Sequence, residues 1–127
     1  MKKILIIEDN QQTLTHLSYI AQEINSSNKI YAFKKLDEAY RCALENEIDL
    51  FIVDIILEKE KPGDISGLQY VENIRKIDRY KFIPVIFVTS LEDAKLHTYE
   101  KLHCYSFIEK PFDESKMKNV MEECLQL

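Results

Sequence analysis

Short apolar runs alternate along the chain with longer amphipathic stretches, and this pattern predicts strands followed by helices. The runs at residues 4–7 and 50–53 are continuously apolar, which is typical of strands buried on both faces of a parallel sheet. The predicted strands lie at residues 3–7, 29–33, 50–53, 84–89 and 106–109. Each is followed by a stretch with helical spacing, so the sequence predicts a doubly wound α/β fold with five helices on both faces of the sheet.

Polar residues mark the ends of the first two predicted helices. Asn10 is a candidate N-cap for a helix that runs to about Ile24, and the polar segment 25–28 ends it. The second helix is predicted over residues 36–45. We expect its inner side to carry Leu36, Ala39, Tyr40, Ala43 and Leu44.

The last three predicted helices follow the third, fourth and fifth strands. The third begins near Gly67, and its apolar side is predicted to carry Leu68, Val71, Ile74 and Ile77. Ser90 and Asp93 form a capping box for the fourth helix. Asp113 is the predicted cap of the fifth, whose inner side should carry Met117, Val120, Met121, Cys124 and Leu125.

Composition and charge narrow the class of protein. The 127 residues show no compositional break, which predicts one domain over residues 1–127. Seventeen basic and 22 acidic residues give a net charge of −5 with no basic block, so direct nucleic-acid binding is not expected. The apolar runs are too short to span a bilayer and no signal peptide is seen. We therefore expect a cytoplasmic protein without membrane contact.

Glycine and cysteine usage excludes several kinds of site. The two glycines, Gly63 and Gly67, cannot form the glycine-rich loops that bind nucleotide phosphates. The three cysteines, Cys42, Cys104 and Cys124, have no metal-ligand or redox-motif spacing. We interpret them as reduced, mostly buried packing residues.

Charged and hydroxyl side chains follow four of the five predicted strands. They are Glu8 and Asp9 after the first, Asp54 after the third, Thr89 and Ser90 at the end of the fourth, and Lys110 after the fifth. Alone, a residue such as Asp54 could simply end its strand. Because parallel strands have their carboxyl ends at one edge, where ligands collect in α/β sheets, the joint pattern predicts a functional site.

Four segments carry a resemblance to a known family. They are ILIIEDN at 4–10, DLFIVD at 49–54, PVIFVTS at 84–90 and FIEKPF at 107–112. Their order and spacing resemble response regulator receiver domains of two-component phosphotransfer signalling. The resemblance implies the flavodoxin-like strand order 2-1-3-4-5. It also implies a phosphoacceptor switch that assists its own phosphorylation and dephosphorylation, with a sensor histidine kinase or phosphotransfer protein as partner.

An aspartate can accept a phosphoryl group as an acyl phosphate, and we expect Asp54 to be that acceptor. Clustered carboxylates repel one another unless a cation is shared, and their oxygens suit Mg²⁺. We expect Asp9 and Asp54 to bind the ion directly and Glu8 to bind it through water. The resemblance adds the backbone carbonyl of Ile56.

Residues from the fourth and fifth strand ends complete the expected site. Lys110 and Thr89 should contact the phosphoryl oxygens. The resemblance implies a cis peptide bond before Pro111, which turns Lys110 over the site. Phe107 is either a core strand residue or the family's aromatic switch. In the second case it rotates as Thr89 moves, and the surface of helix four, strand five and helix five changes.

The chain departs from the family's usual pattern after the acceptor. Residues 57–66 form a longer segment, which is either a solvated insertion or a means of controlling access by the kinase. The residues two past Asp54 and two past Thr89 are Ile56 and Leu91, both bulky and apolar. We expect attacking water to be poorly oriented and the phosphorylated state to be long-lived.

Three functions compete at this point. The first is a phosphorylated receiver, which either stands alone or is cut from a longer regulator and which could form a homodimer when phosphorylated. Residues 102–112 resemble receivers joined to LytTR-type DNA-binding domains. The second is a phosphorylation-independent interaction module, against which the intact set of site residues argues. The third is a hydrolase with an aspartyl nucleophile, ranked last because Ile56 stands where such enzymes have a second acid.

Overall fold

The computed structural model describes residues 1–58, 60–90 and 106–126 of the chain. These residues form one parallel sheet with the strand order β2-β1-β3-β4-β5. The strands are β1 (Lys3–Ile7), β2 (Lys29–Phe33), β3 (Leu50–Val53), β4 (Val85–Thr89) and β5 (Ser106–Glu109). The predicted α/β fold and its strand order are confirmed.

Four α-helices and one short 3₁₀-helix lie within the described residues. They are α1 (Gln11–Ile24), α2 (Leu36–Glu45), α3 (Ser66–Ile74), the 3₁₀-helix Asp78–Tyr80 and α4 (Glu114–Leu125). The helix predicted to follow Ser90 falls in residues 91–105, outside the described part of the chain. None of the described helices is long and apolar enough to cross a membrane.

Neighbouring side chains of each strand belong to two apolar clusters, one on each face of the sheet. Ile6 and Ile52 belong to the cluster that α1 and α4 cover, whereas Leu5 and Phe51 belong to the cluster that α2 and α3 cover. Successive side chains of a strand point to opposite faces, so both faces need a cover of helices. The three-layer arrangement follows from strands that are apolar on both sides.

Side-chain caps begin the two helices that cover the first face. The Asn10 side chain accepts a hydrogen bond from the backbone N–H of Thr13 at 3.0 Å, and Asp113 accepts one from Ser115 at 3.0 Å. These N–H groups have no partner within their own helix, so a side-chain acceptor stabilises the first turn. Both predicted caps are confirmed.

The end of α2 is held by residues that precede β4. The Tyr80 hydroxyl donates to the carbonyl of Ala43 at 2.7 Å, and the Arg79 guanidinium donates to the carbonyls of Ala43 and Leu44 at 2.8 and 2.9 Å. A helix leaves its last carbonyls without a partner, and these contacts satisfy them. Leu44 is 50% exposed, so its predicted inner position was wrong. The inward position belongs to Ala43, which is fully buried.

The helix predicted to extend to Ile77 ends earlier. α3 ends at Ile74, and the next residue, Arg75, donates from its guanidinium to the carbonyls of Tyr80 and Ile83 at 2.7 and 2.8 Å. These contacts fold the following segment back beside the helix end. Ile77 is partly buried against the α2–α3 cluster without being part of the helix. The prediction that Ile77 is turned toward the core was therefore correct, whereas the prediction that the helix reaches it was wrong.

The cysteines in the described ranges are buried. Cys42 and Cys124 are free thiols inside the two apolar clusters. The prediction that they are reduced packing residues is confirmed for these two. Cys104 lies outside the described residues.

Candidate functional site

The register of β1 and β3 brings Glu8 and Asp54 to the same edge of the sheet. Ile7 lies opposite Val53, and each is followed directly by one of the two acids. The backbone N–H of Asp54 donates to the carbonyl of Ile7 at 3.1 Å, so the strand pairing continues to the acid itself. Neighbouring strand ends therefore place the two carboxylates side by side.

Three carboxylates meet at this edge. Glu8, Asp9 and Asp54 each contribute an oxygen atom, and these atoms all lie within 4.8 Å of one another. Glu8 is 0% exposed and Asp54 is 3% exposed. Asp9 is partly exposed. Buried carboxylates at this spacing repel one another strongly unless positive charge is placed between them.

Lys110 supplies such a charge. Its Nζ atom lies 2.6 Å from Oε1 of Glu8 and 2.8 Å from Oδ2 of Asp54. The peptide bond between Lys110 and Pro111 is cis. The backbone N–H of Lys110 donates to the carbonyl of Thr89 at 3.0 Å, which joins the residue after β5 to the end of β4. Lys110 therefore links the ends of three strands.

Burial and charge shift the pKa values of this pair. The pKa of Glu8 is raised to about 7: burial is the main cause, the hydrogen bond with Lys110 opposes it, and the negative charge of Asp54 adds to it. Burial alone would lower the pKa of Lys110, but its hydrogen bonds to Asp54 and Glu8 raise it above the usual range. Lys110 is therefore positively charged at neutral pH, whereas Glu8 titrates near neutrality.

The backbone after Asp54 turns tightly around its carboxylate. The N–H of Ile56 donates to Oδ1 of Asp54 at 3.0 Å, and the N–H of Gly67 donates to the carbonyl of Ile55 at 2.9 Å. A Cβ atom at Gly67 would lie 1.8 Å from the carbonyl oxygen of Asp54. Glycine at this position therefore permits the start of α3 to approach the end of β3 closely.

The long segment predicted over residues 57–66 is closed by one carboxylate. Oδ2 of Asp64 accepts hydrogen bonds from the N–H groups of Leu57 and Glu58 at 3.1 and 3.0 Å and from the Ser66 hydroxyl at 2.8 Å. Burial alone would raise the pKa of Asp64, but the hydrogen bonds lower it below the usual range. The described part of this segment is thus anchored beside the site.

The two predicted switch residues are both buried. Thr89 is the last residue of β4 and is 0% exposed. Phe107 in β5 is 5% exposed and belongs to the α2–α3 cluster. This position fits a core strand residue and equally the inward position of a switch, so the two interpretations of Phe107 stay open.

An open pocket of about 440 Å³ lies beside Lys110. In it the imidazole of His16 stacks on Phe112, with ring centroids 5.4 Å apart, and its Nε2 atom lies 2.6 Å from Oε1 of Glu114. The pocket is lined by Gln12, Thr13, His16, Lys110, Pro111 and Phe112. A surface depression therefore leads from α1 to the site lysine.

The donor set at this edge suits a hard divalent cation. Carboxylate oxygens from Glu8, Asp9 and Asp54 converge, and oxygen ligands of this kind are those that Mg²⁺ prefers. Mg²⁺ usually takes few protein ligands and keeps several waters, which suits a cluster at the edge of a sheet. The residues present therefore fit the predicted ion.

Three features of the site were not predicted from the sequence. They are the pairing of Lys110 with Glu8, the anchoring role of Asp64 and the close approach of Gly67 to Asp54. The Asp-x-Ser pattern before an apolar helical run could have indicated Asp64, because such residues cap helices and close turns. The other two depend on how strands and loops pack and leave no local pattern.

Comparisons with known proteins agree with this geometry. The family model described as "Response regulator receiver domain" matches residues 4–122. A probable transcriptional regulator, ycf29 of Porphyra purpurea, is 32% identical over 90 residues, which cover 69% of this chain and 40% of that protein. The sensory transduction protein LytT of Bacillus subtilis is 22% identical over 124 residues, covering 97% of this chain and 48% of LytT.

A solved structure shows the same fold. The chemotaxis response regulator CheY4 of Vibrio cholerae superposes with a TM-score of 0.78 at 21% identity and covers 98% of this chain and 99% of that one. The chain spans less than half the length of the two curated relatives described above. Because the family model covers nearly all of the sequence and the strand order and acidic edge agree with it, this chain belongs to the response regulator receiver domain family.

Proposed function

We propose that this chain is a phosphorylation-dependent switch in which Asp54 accepts a phosphoryl group from a sensor histidine kinase or phosphotransfer protein. The carboxylate attacks phosphorus, the bond from phosphorus to the donor nitrogen breaks, and an acyl phosphate forms. The observation that carries this proposal is the placement of Lys110 Nζ 2.8 Å from Oδ2 of Asp54. That contact puts a fixed positive charge where phosphoryl oxygens would arrive.

Mg²⁺ is part of the proposal. Asp9 and Asp54 would hold the ion directly, Glu8 through water, and the carbonyl of Ile56 would complete the protein ligands. When bound, the ion would neutralise charge on the phosphoryl oxygens. The convergence of three carboxylates within 4.8 Å supports this assignment.

Lys110 and Thr89 have separate tasks in the proposed reaction. Lys110 pairs with the carboxylates of Glu8 and Asp54. When a dianion is added to Asp54, the ammonium group can bind a phosphoryl oxygen instead. The Thr89 hydroxyl would donate to a second oxygen, and its movement would couple the site to Phe107. The same catalytic groups would assist dephosphorylation.

The proposed output is a change of surface at β5, α4 and the segment predicted to form the helix after Ser90. Phosphorylation would shift a two-state equilibrium and thereby control a partner, a homodimer or an attached output domain. The name of ycf29, a probable transcriptional regulator, supports an output in the control of transcription. Direct nucleic-acid binding by this domain is not part of the proposal, and its cytoplasmic location stays a prediction.

The competing function is an interaction module that needs no phosphorylation. The test is to add Mg²⁺ with acetyl phosphate, or with beryllium and fluoride, and to record amide NMR shifts and the mass gain of one phosphoryl group. We expect shifts at Thr89 and Phe107 in the wild type and none in Asp54→Asn. Asp78→Asn, at a side chain that is 95% exposed, is the matched control and should respond normally. Shifts that persist in Asp54→Asn would favour the interaction module.

A further inference from the structure

We infer that Asp64 is a positioning residue that sets the direction of the Ile56 carbonyl, and through it the affinity of the acidic site for Mg²⁺. The inference rests on the proposed function, because it concerns the ion proposed to bind there. Asp64 itself is a residue of the long segment after the acceptor, which the resemblance left without a role. Its side chain contacts that segment and not the acidic cluster.

Asp64 holds the peptide unit between Ile56 and Leu57. The N–H of Leu57 donates to Oδ2 of Asp64 at 3.1 Å. The peptide bond between Ile56 and Leu57 is trans, since the cis bond recorded in the described residues joins Lys110 and Pro111. In a planar trans peptide the N–H and the preceding C=O point in opposite directions. Fixing the N–H of Leu57 toward Asp64 therefore fixes the carbonyl of Ile56 away from it.

The peptide unit before Ile56 is held by Asp54. The N–H of Ile56 donates to Oδ1 of Asp54 at 3.0 Å, so both peptide units that flank Ile56 are held by carboxylates. Rotation about the backbone of Ile56 would break one of these hydrogen bonds. The carbonyl that the resemblance assigns as a ligand is thus held between the acceptor and Asp64.

Asp64 is itself held by further hydrogen bonds. Its Oδ2 atom also accepts from the N–H of Glu58 at 3.0 Å and from the Ser66 hydroxyl at 2.8 Å. Ser66 begins α3, and the next residue, Gly67, donates its N–H to the carbonyl of Ile55 at 2.9 Å. The carboxylate is therefore attached to a helix start that is itself packed on the acceptor strand. Residues that orient metal ligands in this way typically change metal affinity by roughly ten- to a hundredfold when they are removed.

The test is a Mg²⁺ titration of the metal-free full chain, followed by amide NMR, with hydrogen exchange of the Leu57 and Glu58 amides as a second readout. We expect Asp64→Ala to weaken Mg²⁺ binding by about tenfold and to speed exchange of both amides. Asp64→Asn keeps an oxygen acceptor of the same reach and should stay within about threefold of the wild type. Ser66→Ala removes a contact to the same oxygen without touching the Ile56 peptide and should stay within about twofold.

Thermal unfolding of each variant shows whether it folds, and Asp64→Ser, too short to reach Leu57, replaces Asp64→Ala if that variant does not. Wild-type Mg²⁺ affinity in the folded Ala or Ser variant would overturn the inference. So would a loss in Asp64→Asn as large as in Asp64→Ala, because charge and not acceptor geometry would then be responsible. Failure of the wild type itself to bind Mg²⁺ would instead overturn the proposed function.

Discussion

Lys110 and Asp54 lie 56 positions apart in the sequence, yet Nζ of the lysine is 2.8 Å from Oδ2 of the aspartate. The same ammonium group lies 2.6 Å from Oε1 of Glu8. A side-chain cation therefore pairs with two of the carboxylates that are proposed to hold Mg²⁺. We expect lysine and metal ion to compete for these carboxylates until a phosphoryl group gives them separate ligands.

This competition predicts opposite effects of Lys110→Met on two measurements. Mg²⁺ binding should become about three- to tenfold tighter, because repulsion between the ammonium and the ion is removed. Phosphorylation by acetyl phosphate should become about a hundredfold slower, because a donor to the phosphoryl oxygens is lost. Lys81→Met, which removes an exposed lysine paired only with Asp78 among the described contacts, is the control. Weaker Mg²⁺ binding with unchanged phosphorylation would contradict the assigned role.

The raised pKa of Glu8 predicts a pH dependence of Mg²⁺ binding. This pKa is raised to about 7, chiefly by burial, so below that pH the carboxyl group is protonated and cannot accept a hydrogen bond from water on the ion. The Mg²⁺ dissociation constant should fall as the pH rises to about 7 and level off above it. Calorimetric titration across this range measures it. In Glu8→Gln the slope should disappear, and an unchanged slope would assign the titration to another group.

The raised pKa of Glu8 also predicts how the stability of the protein without bound Mg²⁺ changes with pH. The ordinary pKa of 4.5 is raised to about 7 on folding, so the folded state holds the proton more tightly between these values. The stability that protonated Glu8 contributes is complete below pH 4.5 and is lost as the pH rises through about 7. Thermal unfolding in the presence of a chelator should show this decline, and Mg²⁺ should reduce it.

The contact between Gly67 and Asp54 predicts a steric cost that differs from an ordinary glycine substitution. Gly67→Ala places a Cβ atom 1.8 Å from the Asp54 carbonyl oxygen and should lower the free energy of unfolding by about 3 kcal/mol. Gly63 has a φ of +73° with no atom near its Cβ position, so Gly63→Ala should cost about 1 kcal/mol from backbone strain alone. Denaturant unfolding of both variants measures the difference. Equal costs would mean that the start of α3 relaxes away from the strand without penalty.

The apolar residue two past the acceptor predicts a slow loss of the phosphoryl group. Ile56 is partly buried against the α2–α3 cluster and offers no group to orient water. Leu91, the other residue of this kind, lies outside the described residues. We expect the phosphorylated protein to have a half-life of minutes or longer with Mg²⁺, measured by mass spectrometry after the donor is removed. Ile56→Asn should shorten it several-fold, and a wild-type half-life of seconds would contradict this prediction.

Burial of the thiols predicts low reactivity. Burial raises the pKa of Cys124 to about 12 and also raises that of Cys42. The thiolate is the reactive form, so neither residue should react with a disulfide reagent at pH 8 in the native Cys104→Ser variant. Both should react at once after unfolding in guanidinium, which serves as the control. Native labelling at the rate of a free thiol would show that the clusters open readily.

Much of the fold could be predicted because its signals are local. Apolar runs of strand length, together with Asn10 and Asp113 at helix starts, predicted the elements of the described residues correctly to within a few positions. The errors arose where local pattern and tertiary contact differ. Leu44 is apolar yet faces solvent at the edge of its helix, and Ile77 is buried by a turn that Arg75 holds through backbone carbonyls.

The sequence allowed a prediction of which residues come together at the site, but not of which side chains contact each other there. Parallel strand ends made it possible to group Asp54 with Glu8, because their strands are neighbours in this topology. The choice of Glu8 as a second partner for Lys110 depends on side-chain reach across the sheet edge. The role of Asp64 depends on how a loop closes. Neither relationship has a fixed sequence spacing from which it could be recognised.

Phe112 is a suitable position for a fluorescent probe of the site. The chain contains no tryptophan, and this ring stacks on His16 in the pocket that Lys110 lines. An indole introduced as Phe112→Trp would be the single strong emitter of the molecule, placed two residues from the lysine that contacts Asp54. Its fluorescence would report occupancy of the site in real time, so that stopped-flow kinetics could follow ion and phosphoryl arrival without any attached dye.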